Sequence, residues 1–413
     1  MLKSNLLKKL QTRGFINDCT DLVGLDDLLK RSKVTCYIGY DATASSLHVG
    51  HLMNIMMLRW FQKDGHRVIT LLGGGTTKIG DPSFRKTERP IISDETINTN
   101  LATLKSIFSK YIQFSSDFPG ALMLNNDEWL GNLNYLEFLR DTGKHFSINR
   151  MLSFDSVKSR LKKNDPLSFL EFNYMILQGY DFYKLNNDHE CILQMGGSDQ
   201  WGNIVNGIEL TRRMNGNKIF GLTSPLLTNS AGQKMGKSSN GAIWLNEDSL
   251  SPYEFWQFWR NCEDDDIEKY LLLFTEFSTE RIKELTARKG HHLNEAKITL
   301  ANEVTKLCHG KIKAEDAFET SKAVFNENIG SSNLPTIEIN KKNCPENISI
   351  IQLLTMSGVV RSGKEARRLI NDQAVKLEGR LITDVSYKYE TTNFVNPQKL
   401  SIGKKKHVNL VII

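Results

Sequence analysis

VTCYIGYDATASSLHVGHLMNIMMLRWFQK, residues 34–63, carries the first buried strand and the first long helix of the predicted fold. The opening seven residues form a short apolar run with β-branched residues, which predicts a buried strand. Residues 49–63 place apolar side chains at helical spacing, and this pattern predicts a helix that begins just after His48. His48 and His51 are three residues apart, so both imidazoles face the same way from the first helical turn.

Three later apolar runs, at residues 68–72, 121–124 and 191–195, alternate with helical patterns as βαβ units do. Each run is followed by Gly or Asn, residues that let the chain turn at the end of a strand. Ligands of open parallel sheets bind at these carboxyl ends. We therefore predict an α/β fold whose first domain, residues 1–226, is a Rossmann-like parallel sheet.

The glycine-rich stretch at residues 73–81, GGGTTKIGD, excludes two common nucleotide-binding classes. Lys78 stands where the third glycine of a dinucleotide-binding G-x-G-x-x-G motif would be, and no Lys follows Gly80 as a P-loop requires. A dehydrogenase and a P-loop enzyme are both disfavoured. The glycines still let the backbone approach a ligand closely, with the Asp81 carboxylate beside it.

Two separate segments together predict a binding site for a nucleoside triphosphate. His48 and His51 lie at a helix N-terminus, whose positive end favours phosphate. The segment KMGKS, residues 234–238, adds two ammonium groups on a glycine-containing loop. Each segment alone is more often structural or solvated, whereas their joint occurrence after βαβ units favours phosphate binding from two sides.

The composition is that of an ordinary globular protein of 413 residues, with no apolar run long enough to span a membrane. The six cysteines are scattered without a C-x-x-C pair, which argues against structural zinc and disulfides and indicates a reducing, cytoplasmic location. The first ten residues favour a short amphipathic helix over a secretory signal. The sequence predicts no metal site made by protein ligands.

The second half of the chain divides into further predicted domains. Residues 227–247 are predicted to be a mobile loop around the KMGKS segment, and residues 248–325 a helical domain. Residues 326–346 carry prolines, serines and asparagines that indicate a linker. The remainder, residues 347–413, is strongly basic. From Pro345 onward there are eleven Lys or Arg and six Asp or Glu, so +5 of the net charge of +6 lies there and favours a polyanionic partner.

Residues 42–51 resemble the HIGH signature of class I aminoacyl-tRNA synthetases, and residues 234–238 resemble their KMSKS signature. Further motifs narrow the resemblance, over essentially the whole chain, to the bacterial-type tyrosyl-tRNA synthetases. They are YIGYD at 37–41, GDPS at 80–83, YMILQGYD at 174–181 and GSDQWGN at 197–203.

The resemblance implies a tyrosine site that also makes chemical sense. Residues matching Tyr37 and Asp181 hold the substrate phenol hydroxyl, which can donate to a carboxylate and accept from a phenol. Residues matching Asp81, Tyr174 and Gln178 bind the α-ammonium group, and the match to Gln200 lies near the α-carboxylate. Tyr174, Gln178 and Asp181 are spaced to share one helix face, which without a ligand would be an ordinary amphipathic helix.

The ATP site and the catalytic groups follow from the same resemblance. It implies ATP contacts from Gly39, Asp41, Thr43, His48, Gly50, His51, Asp199, Lys234 and Lys237. Thr43, both histidines and both lysines would also stabilise the reacting phosphates. Arg85 and Arg89 match mobile basic positions of the family, which would add positive charge around these phosphates. The attacking α-carboxylate is already ionised at neutral pH, so no general base is needed. Catalysis is expected from positioning and electrostatics, with Mg²⁺ on the pyrophosphate.

The basic C-terminal domain resembles the small α+β RNA-binding fold of the fourth small-subunit ribosomal protein. Lys364, Arg367 and Arg368 lie at i, i+3 and i+4, which makes one basic helix edge suited to phosphates. The 404–406 lysine run favours the same reading over a merely solvated helix.

The implied activity is that of a tyrosine–tRNA ligase. It converts L-tyrosine and ATP to tyrosyl-adenylate and pyrophosphate and then transfers the tyrosyl group to the terminal adenosine of tRNA(Tyr). A homodimer is implied, with its interface at about residues 129–165. Two alternatives stay open: the sister tryptophanyl enzyme, disfavoured because an indole only donates, and a non-catalytic RNA-binding protein, disfavoured by the histidines and lysines.

Overall fold

The computed structural model describes residues 2–83, 87, 89–235, 237–238, 241–287, 290, 293–325, 334–403 and 406–413. Residue contacts divide the chain into two compact units. The first unit comprises Met1–Ser249 and Asp265–Ala287, and the second comprises Leu250–Asp264 and Arg288–Ile413.

The first unit is an α/β layer structure, as predicted. Its strands and helices up to the end of the sheet are α1 (Asn5–Thr12), β1 (Asp18–Cys19), α2 (Leu22–Arg31), β2 (Thr35–Asp41), α3 (Val49–Lys63), β3 (Arg67–Gly73), α4 (Gly74–Thr77), α5 (Asp94–Ser109), β4 (Leu122–Asn125), α6 (Asp127–Leu130), α7 (Tyr135–Asp141), α8 (Ile148–Ser153), α9 (Asp155–Lys163), α10 (Phe169–His189), β5 (Cys191–Gly197), α11 (Trp201–Asn215) and β6 (Phe220–Ser224). The predicted amphipathic first helix is confirmed, since α1 buries Leu6, Leu7 and Leu10.

The order of the six strands positions the site. They lie in the order β1-β6-β5-β2-β3-β4, and every pair is parallel except the antiparallel β1 and β6. Strands β2, β3 and β4 follow one another toward one edge of the sheet. The chain then crosses to β5 and β6, which lie on the other side of β2. This reversal between β2 and β5 opens a crevice at the carboxyl ends of the strands, where ligands of such sheets bind.

The loop after the sheet forms a small hairpin, and two more helices return to the first unit. The hairpin strands are β7 (Lys237–Ser238) and β8 (Gly241–Ala242), which pair antiparallel. After α12 (Pro252–Arg260), which belongs to the second unit, the chain forms α13 (Ile267–Phe274) and α14 (Thr279–Thr286).

The prediction that residues 248–325 form one helical domain is therefore wrong for its middle part. The side chains of Ile267, Leu271 and Phe274 on α13 are almost fully buried in the first unit. The buried Arg13 guanidinium donates to the carbonyls of Leu272 at 2.7 Å and of Thr275 at 2.8 Å, at the C-terminal end of α13. A buried arginine and an apolar helix face together tie this segment to the sheet domain.

The second unit combines a helical part with a small α+β part. Its remaining elements are α15 (Leu293–His309), α16 (Lys311–Phe325), β9 (Thr336–Ile339), β10 (Asn347–Ser349), α17 (Ile350–Met356), α18 (Gly363–Asn371), β11 (Val375–Leu377), β12 (Arg380–Leu381), β13 (Lys388–Glu390), β14 (Gln398–Ile402) and β15 (Lys406–Ile412). Helices α12, α15 and α16 pack together, and Leu300, Val304 and Cys308 form a buried stripe on α15.

A five-stranded sheet in the order β12-β11-β14-β15-β9 covers α17 and α18 over one apolar core. The predicted linker, residues 326–346, needs correction at its C-terminal end. Strand β9 pairs in parallel with β15, so residues 336–339 belong to this sheet. Residues 326–333 lie outside the described part of the chain. Among the described helices of both units, none is long and apolar enough to cross a membrane.

Candidate active site

A cavity of about 220 Å³ lies at the carboxyl ends of β2 and β5, at the switch point of the sheet. The predicted site residues that line it are Tyr37, Gly39, Asp41, Thr43, His51, Asp81, Arg89, Tyr174, Gln178, Asp181, Asp199 and Gln200. A Cβ atom built on Gly39 would meet no atom within 4 Å, so the backbone there leaves open space for a ligand. The cavity thus brings together most of the residues that the sequence singles out.

Asp181 provides a fixed acceptor in the cavity wall. Its side chain is 2% exposed and accepts hydrogen bonds from Asn126 Nδ2 at 2.9 Å and from Trp129 Nε1 at 2.7 Å. Burial raises the pKa of the Asp181 carboxyl to about 7, although the two hydrogen bonds lower it. The carboxylate is therefore held in place by two donors and is poised to accept a further proton or hydrogen bond.

Tyr37 lies close to Asp181 and offers a hydroxyl group that the described residues leave unpaired. Its ring packs edge-on against Phe182, with the centroids 5.3 Å apart. Burial, and then the Asp181 charge, raise the pKa of the Tyr37 phenol well above its ordinary value, so the hydroxyl keeps its proton. In the described part of the chain, the buried Tyr37 hydroxyl has no hydrogen-bond partner, and neither do Gln178 Oε1 and Gln194 Oε1. Unpaired buried polar atoms that line a cavity indicate a polar ligand.

A second polar group of the cavity is centred on Asp41. Tyr174 donates to Asp41 Oδ2 at 3.0 Å, and Thr76 donates to Asp41 Oδ1 at 2.8 Å. Burial and the neighbouring Asp81 raise the pKa of Asp41 to about 6. Asp41, predicted as an ATP contact, therefore also holds the hydroxyl of Tyr174, a predicted contact of the amino group.

Asp81 is oriented by three neighbours. Its Oδ2 accepts from Gln200 Nε2 at 2.8 Å, its Oδ1 accepts from the Ser83 amide at 2.9 Å, and its backbone carbonyl accepts from Arg89 Nε at 3.0 Å. Gln200 in turn accepts from Asn203 at 3.1 Å. These contacts place a carboxylate and an amide on the same side of the cavity, where they can bind an ammonium and a carboxylate.

The two histidines form the N-terminal cap of α3, and this fixes their tautomers. His51 Nδ1 accepts from the His48 amide at 3.2 Å, and His48 Nδ1 accepts from the Gly50 amide at 3.1 Å. Each Nδ1 is an acceptor, so a neutral ring carries its proton on Nε2. Burial, and then the adjacent His48, lower the pKa of His51 well below its ordinary value. The His51 ring can therefore act as a neutral donor at pH 7, and the His48 ring lies 4.0 Å from it.

The Lys234 loop lies against the start of α3. Backbone bridges join His48 to Trp244 and Thr228 to Lys234, and the Val49 amide donates to the Ile243 carbonyl at 3.0 Å. A Cβ at Gly50 would come within 2.8 Å of the His48 ring and 3.9 Å of the Met235 carbonyl, so glycine permits this close packing. The charge of Lys234 partly offsets the rise in the pKa of Asp199 that burial and Asp81 cause.

The two signatures, about 190 residues apart in sequence, therefore lie next to each other at Gly50 and Met235. Lys237 lies in β7, but the positions of its side-chain atoms are outside the described part of the structure, and so is the whole of Arg85.

Sequence reasoning missed Asn126, Trp129 and Thr76, which orient the two buried carboxylates. Trp129 was predicted to begin the dimer-interface segment, whereas its indole reaches Asp181 in the cavity. A usable signal existed, because residues 125–129, NNDEW, directly follow a predicted strand of the sheet.

The predicted RNA-binding side chains lie in the second unit. Lys364, Arg367 and Arg368 are exposed on α18, whose opposite face buries Ala366 and Ile370. The predicted basic helix edge is confirmed as a surface feature. Residues 404–405 of the lysine run lie outside the described residues.

The raised pKa of Asp181 predicts a pH-dependent cost to folding. In the unfolded chain the carboxyl has its ordinary pKa of 3.8, whereas in the folded protein the pKa is about 7. Between these values the folded state retains a proton that the unfolded state has lost, so the contribution of Asp181 to stability falls as pH rises from about 4 to 7.

We expect an Asp181→Asn variant to gain stability relative to the wild type over this range, by up to about 4 kcal/mol, and then to level off. Calorimetric unfolding of both proteins from pH 4 to 8 measures this difference. The titrations of the histidines contribute to the stability of both proteins equally, so they cancel in the difference. A difference that does not change with pH would contradict the assignment.

Comparisons with known proteins agree with the geometry. Residues 2–326 match the family model of class I tRNA synthetases (W and Y), and residues 327–410 match that of the tyrosine–tRNA ligase SYY-like C-terminal domain. The chain is 56% identical over 405 residues to the tyrosine–tRNA ligase of Dinoroseobacter shibae, covering 98% of this chain and 97% of that protein. It is 50% identical over 408 residues to that of Agrobacterium fabrum, covering 98% of each.

A solved structure is also similar. The C-terminally truncated mitochondrial tyrosyl-tRNA synthetase of Aspergillus nidulans superposes with a TM-score of 0.71 at 31% identity, covering 78% of this chain and 95% of that one. Since the family models and the bacterial relatives together span almost every residue, this chain belongs to the tyrosine–tRNA ligases, within the class I tRNA synthetases.

Proposed function

We propose that this cavity activates L-tyrosine with ATP and that the activated tyrosine is then transferred to the terminal adenosine of tRNA(Tyr). One observation carries the proposal. The cavity has the unpaired Tyr37 hydroxyl and the clamped Asp181 carboxylate among its lining groups, together with the neutral His51 donor. A phenol-bearing substrate and a phosphate ester can then occupy the same cavity.

In this proposal the phenol hydroxyl of tyrosine donates to Asp181 and accepts from Tyr37. The pairing suits the donor and acceptor capacity of a phenol, and it would satisfy the Tyr37 hydroxyl. The α-ammonium group is bound by Asp81, Tyr174 and Gln178, whose Oε1 also has no partner in the described part of the chain. Gln200 lies next to Asp81 and faces the α-carboxylate.

Activation is an exchange of bonds at the α-phosphorus of ATP. An oxygen of the tyrosine carboxylate forms a bond to phosphorus while the bond to the pyrophosphate oxygen breaks, and pyrophosphate leaves with the electron pair. The carboxylate is ionised at neutral pH, so no protein group removes a proton. What the protein supplies is alignment and donors for the charge that develops on the phosphate oxygens.

The donors proposed for this step are the Nε2–H groups of His48 and His51, Thr43 and the ammonium groups of Lys234 and Lys237. Arg85 and Arg89 are proposed to add further donors to the phosphates, and Arg89 lines the cavity. Gly39 and Gly50 let the nucleotide approach the backbone, while Asp41 and Asp199 offer acceptors to the nucleotide, Asp199 to its ribose.

We propose that Mg²⁺ binds together with ATP, where it would neutralise charge on the pyrophosphate oxygens. In the described part of the chain, no group of three or more His, Cys, Asp and Glu side chains could hold a metal ion. The pyrophosphate oxygens are therefore its proposed ligands.

The function is tested by pyrophosphate exchange into ATP with tyrosine, with tryptophan or with neither amino acid. We expect exchange that depends on tyrosine. Exchange that depends on tryptophan would instead identify the sister enzyme, and no exchange with either would identify a binding protein without this activity.

For RNA binding we propose that the exposed edge of α18 contacts phosphates of the tRNA. Lys364, Arg367 and Arg368 point away from the core of the C-terminal part, and the net charge of +5 beyond Pro345 adds attraction of longer range. We propose that the boundary between the helical part and the RNA-binding part lies near Leu334. The Leu334 side chain packs against Tyr253 of the helical part.

A chain that ends after Leu334 should still form tyrosyl-adenylate at close to the full-length rate, because every cavity residue lies before it. Its aminoacylation of tRNA(Tyr) should fall at least roughly tenfold, and its tRNA affinity should depend less on salt, since each lost phosphate contact reduces the slope by about one. Activation and aminoacylation measured on the same two proteins decide the matter. Undiminished aminoacylation would remove α18 from the RNA site.

We also propose a homodimer with an interface within residues 130–165 and the adjoining start of α10. Large apolar side chains of this region are exposed: Tyr135 by 61%, Leu136 by 74%, Ile148 by 65% and Phe169 by 71%. Large exposed apolar side chains within one segment of the chain favour a protein partner, and a second copy is the partner we propose. Sedimentation analysis of the full-length chain and of an Ile148→Asp variant would test it.

The cytoplasm is the proposed location. Its support is the wide spacing of the six cysteines, all of which are free thiols in the structure.

A further inference from the structure

Helix α13 makes two polar contacts with a second hairpin, residues 227–235, which carries Lys234 and precedes the β7–β8 hairpin. Asp266, which is 3% exposed and caps the start of α13, accepts from the Ser230 amide through Oδ2 at 3.0 Å. One turn further on, Lys269 donates from Nζ to the Thr228 carbonyl at 2.6 Å. The two contacts hold the backbone of this hairpin at Thr228, in its first arm, and at Ser230, in its turn.

The hairpin is tied across its base, so that fixing one arm fixes the other. Thr228 and Lys234 form an antiparallel bridge, and the Met235 amide donates to the Leu227 carbonyl at 2.8 Å. The turn is closed by Asn229, whose Oδ1 accepts from the Gln233 amide at 2.8 Å. Thr228, the residue that Lys269 holds, is therefore the direct backbone partner of Lys234.

The other side of α13 is anchored to the helix that carries the histidines. Helix α13 packs against α3, and Glu276, just after α13, accepts from Arg59 of α3 at 2.7 Å and pairs with Lys63. Arg13 holds the carbonyls at the C-terminal end of α13. Helix α13 thus connects α3, whose N-terminal end carries His48 and His51, with the hairpin arm that leads to Lys234.

We propose that Asp266 and Lys269 are positioning residues that hold Lys234 in register with His48 and His51 for the activation step. Neither side chain lines the cavity or needs to touch substrate. The proposal rests on the function proposed above, in which Lys234 binds the phosphates of ATP. A charged hydrogen bond to a backbone carbonyl is directional, so its loss lets the hairpin base shift by distances that matter for alignment.

The test is a Lys269→Met variant, which keeps the length of the side chain and removes its ammonium. We expect the rate constant for tyrosyl-adenylate formation to fall roughly tenfold, the equivalent of one charged hydrogen bond, with tyrosine affinity unchanged. Lys269→Arg should restore most of the rate because it keeps a donor. Glu268→Gln, on the exposed side of the same helix, is the matched control and should behave as the wild type.

A double-mutant comparison separates positioning through Lys234 from a general effect on the fold. In a Lys234→Ala background, Lys269→Met should have little further effect, since there is no ammonium left to position. Hydrogen exchange of residues 227–235 should be faster in Lys269→Met than in the wild type, with the thermal unfolding temperature nearly unchanged.

The possible failures are distinguishable. If the wild type exchanges pyrophosphate with tyrosine and Lys234→Ala is impaired, but Lys269→Met matches the wild type, the positioning role is overturned and the function stands. Equal losses from Lys269→Met in both backgrounds would likewise overturn it. A wild type without tyrosine-dependent exchange, or a fully active Lys234→Ala, would overturn the underlying function or the role of Lys234 and the positioning role with it.

Discussion

Replacement of His51 by alanine should lower the rate constant for tyrosyl-adenylate formation by about 10²- to 10³-fold, the usual cost of removing one donor from developing charge. The expectation follows from the cap of α3. His51 Nδ1 accepts from the His48 amide, and the lowered pKa keeps the ring neutral, so Nε2–H is the remaining donor of this cavity-lining residue. Quench-flow measurement of adenylate formation gives the rate, and a fluorescence titration gives tyrosine affinity, which should change little.

His51→Gln is the matched comparison, because its amide nitrogen can approach the position of Nε2. We expect it to recover part of the lost rate. Loss of tyrosine affinity with an unchanged rate would mean that His51 supports the pocket rather than the reacting phosphate.

Asp181→Ala should lower kcat/KM for tyrosine by about 10²-fold while phenylalanine is used as before. The phenol hydroxyl would lose a charged acceptor, and the donors of Asn126 and Trp129 that now serve Asp181 would need new partners. Phenylalanine has no hydroxyl to lose an acceptor, so discrimination between the two amino acids should fall by the same factor. Pyrophosphate exchange with each amino acid over a range of concentrations measures it.

Asp181→Asn keeps one acceptor oxygen and should lie between the wild type and alanine. An equal loss for tyrosine and phenylalanine would show that Asp181 acts on the shape of the pocket and not on the phenol.

The local parts of this site could be predicted from the sequence. The strand at 34–40 and the helix at 49–63 follow from hydrophobic periodicity, and the structure gives them as β2 and α3 within a residue. Tyr174, Gln178 and Asp181 share a face because helical spacing puts them there, and all three line the cavity. In each case the information lies within a few turns of one element.

The remaining parts depend on which elements become neighbours. Asn126 and Trp129 reach Asp181 only because β4 pairs with β3 and the chain then turns into α6, and no local pattern states that pairing. Strand β9 joins the sheet through parallel pairing with β15, a partner about 70 residues away. No local pattern states that helix α13 packs with the first unit, where Arg13, more than 250 residues earlier in the sequence, donates to its Leu272 carbonyl.

That last contact has a consequence for synthesis of the chain. Arg13 is separated from its carbonyl partners by 259 and 262 residues, and all six strands of the first sheet have been translated by Ser224. At a translation rate of about 5–20 residues per second, Arg13 waits on the order of 13–50 s for Leu272 and Thr275 to be made. Until then the nascent sheet domain lacks the carbonyl acceptors of Arg13 and the helix that packs against α3. The ribosome-bound chain is therefore most exposed to aggregation and to chaperones between the completion of β6 and the emergence of α13.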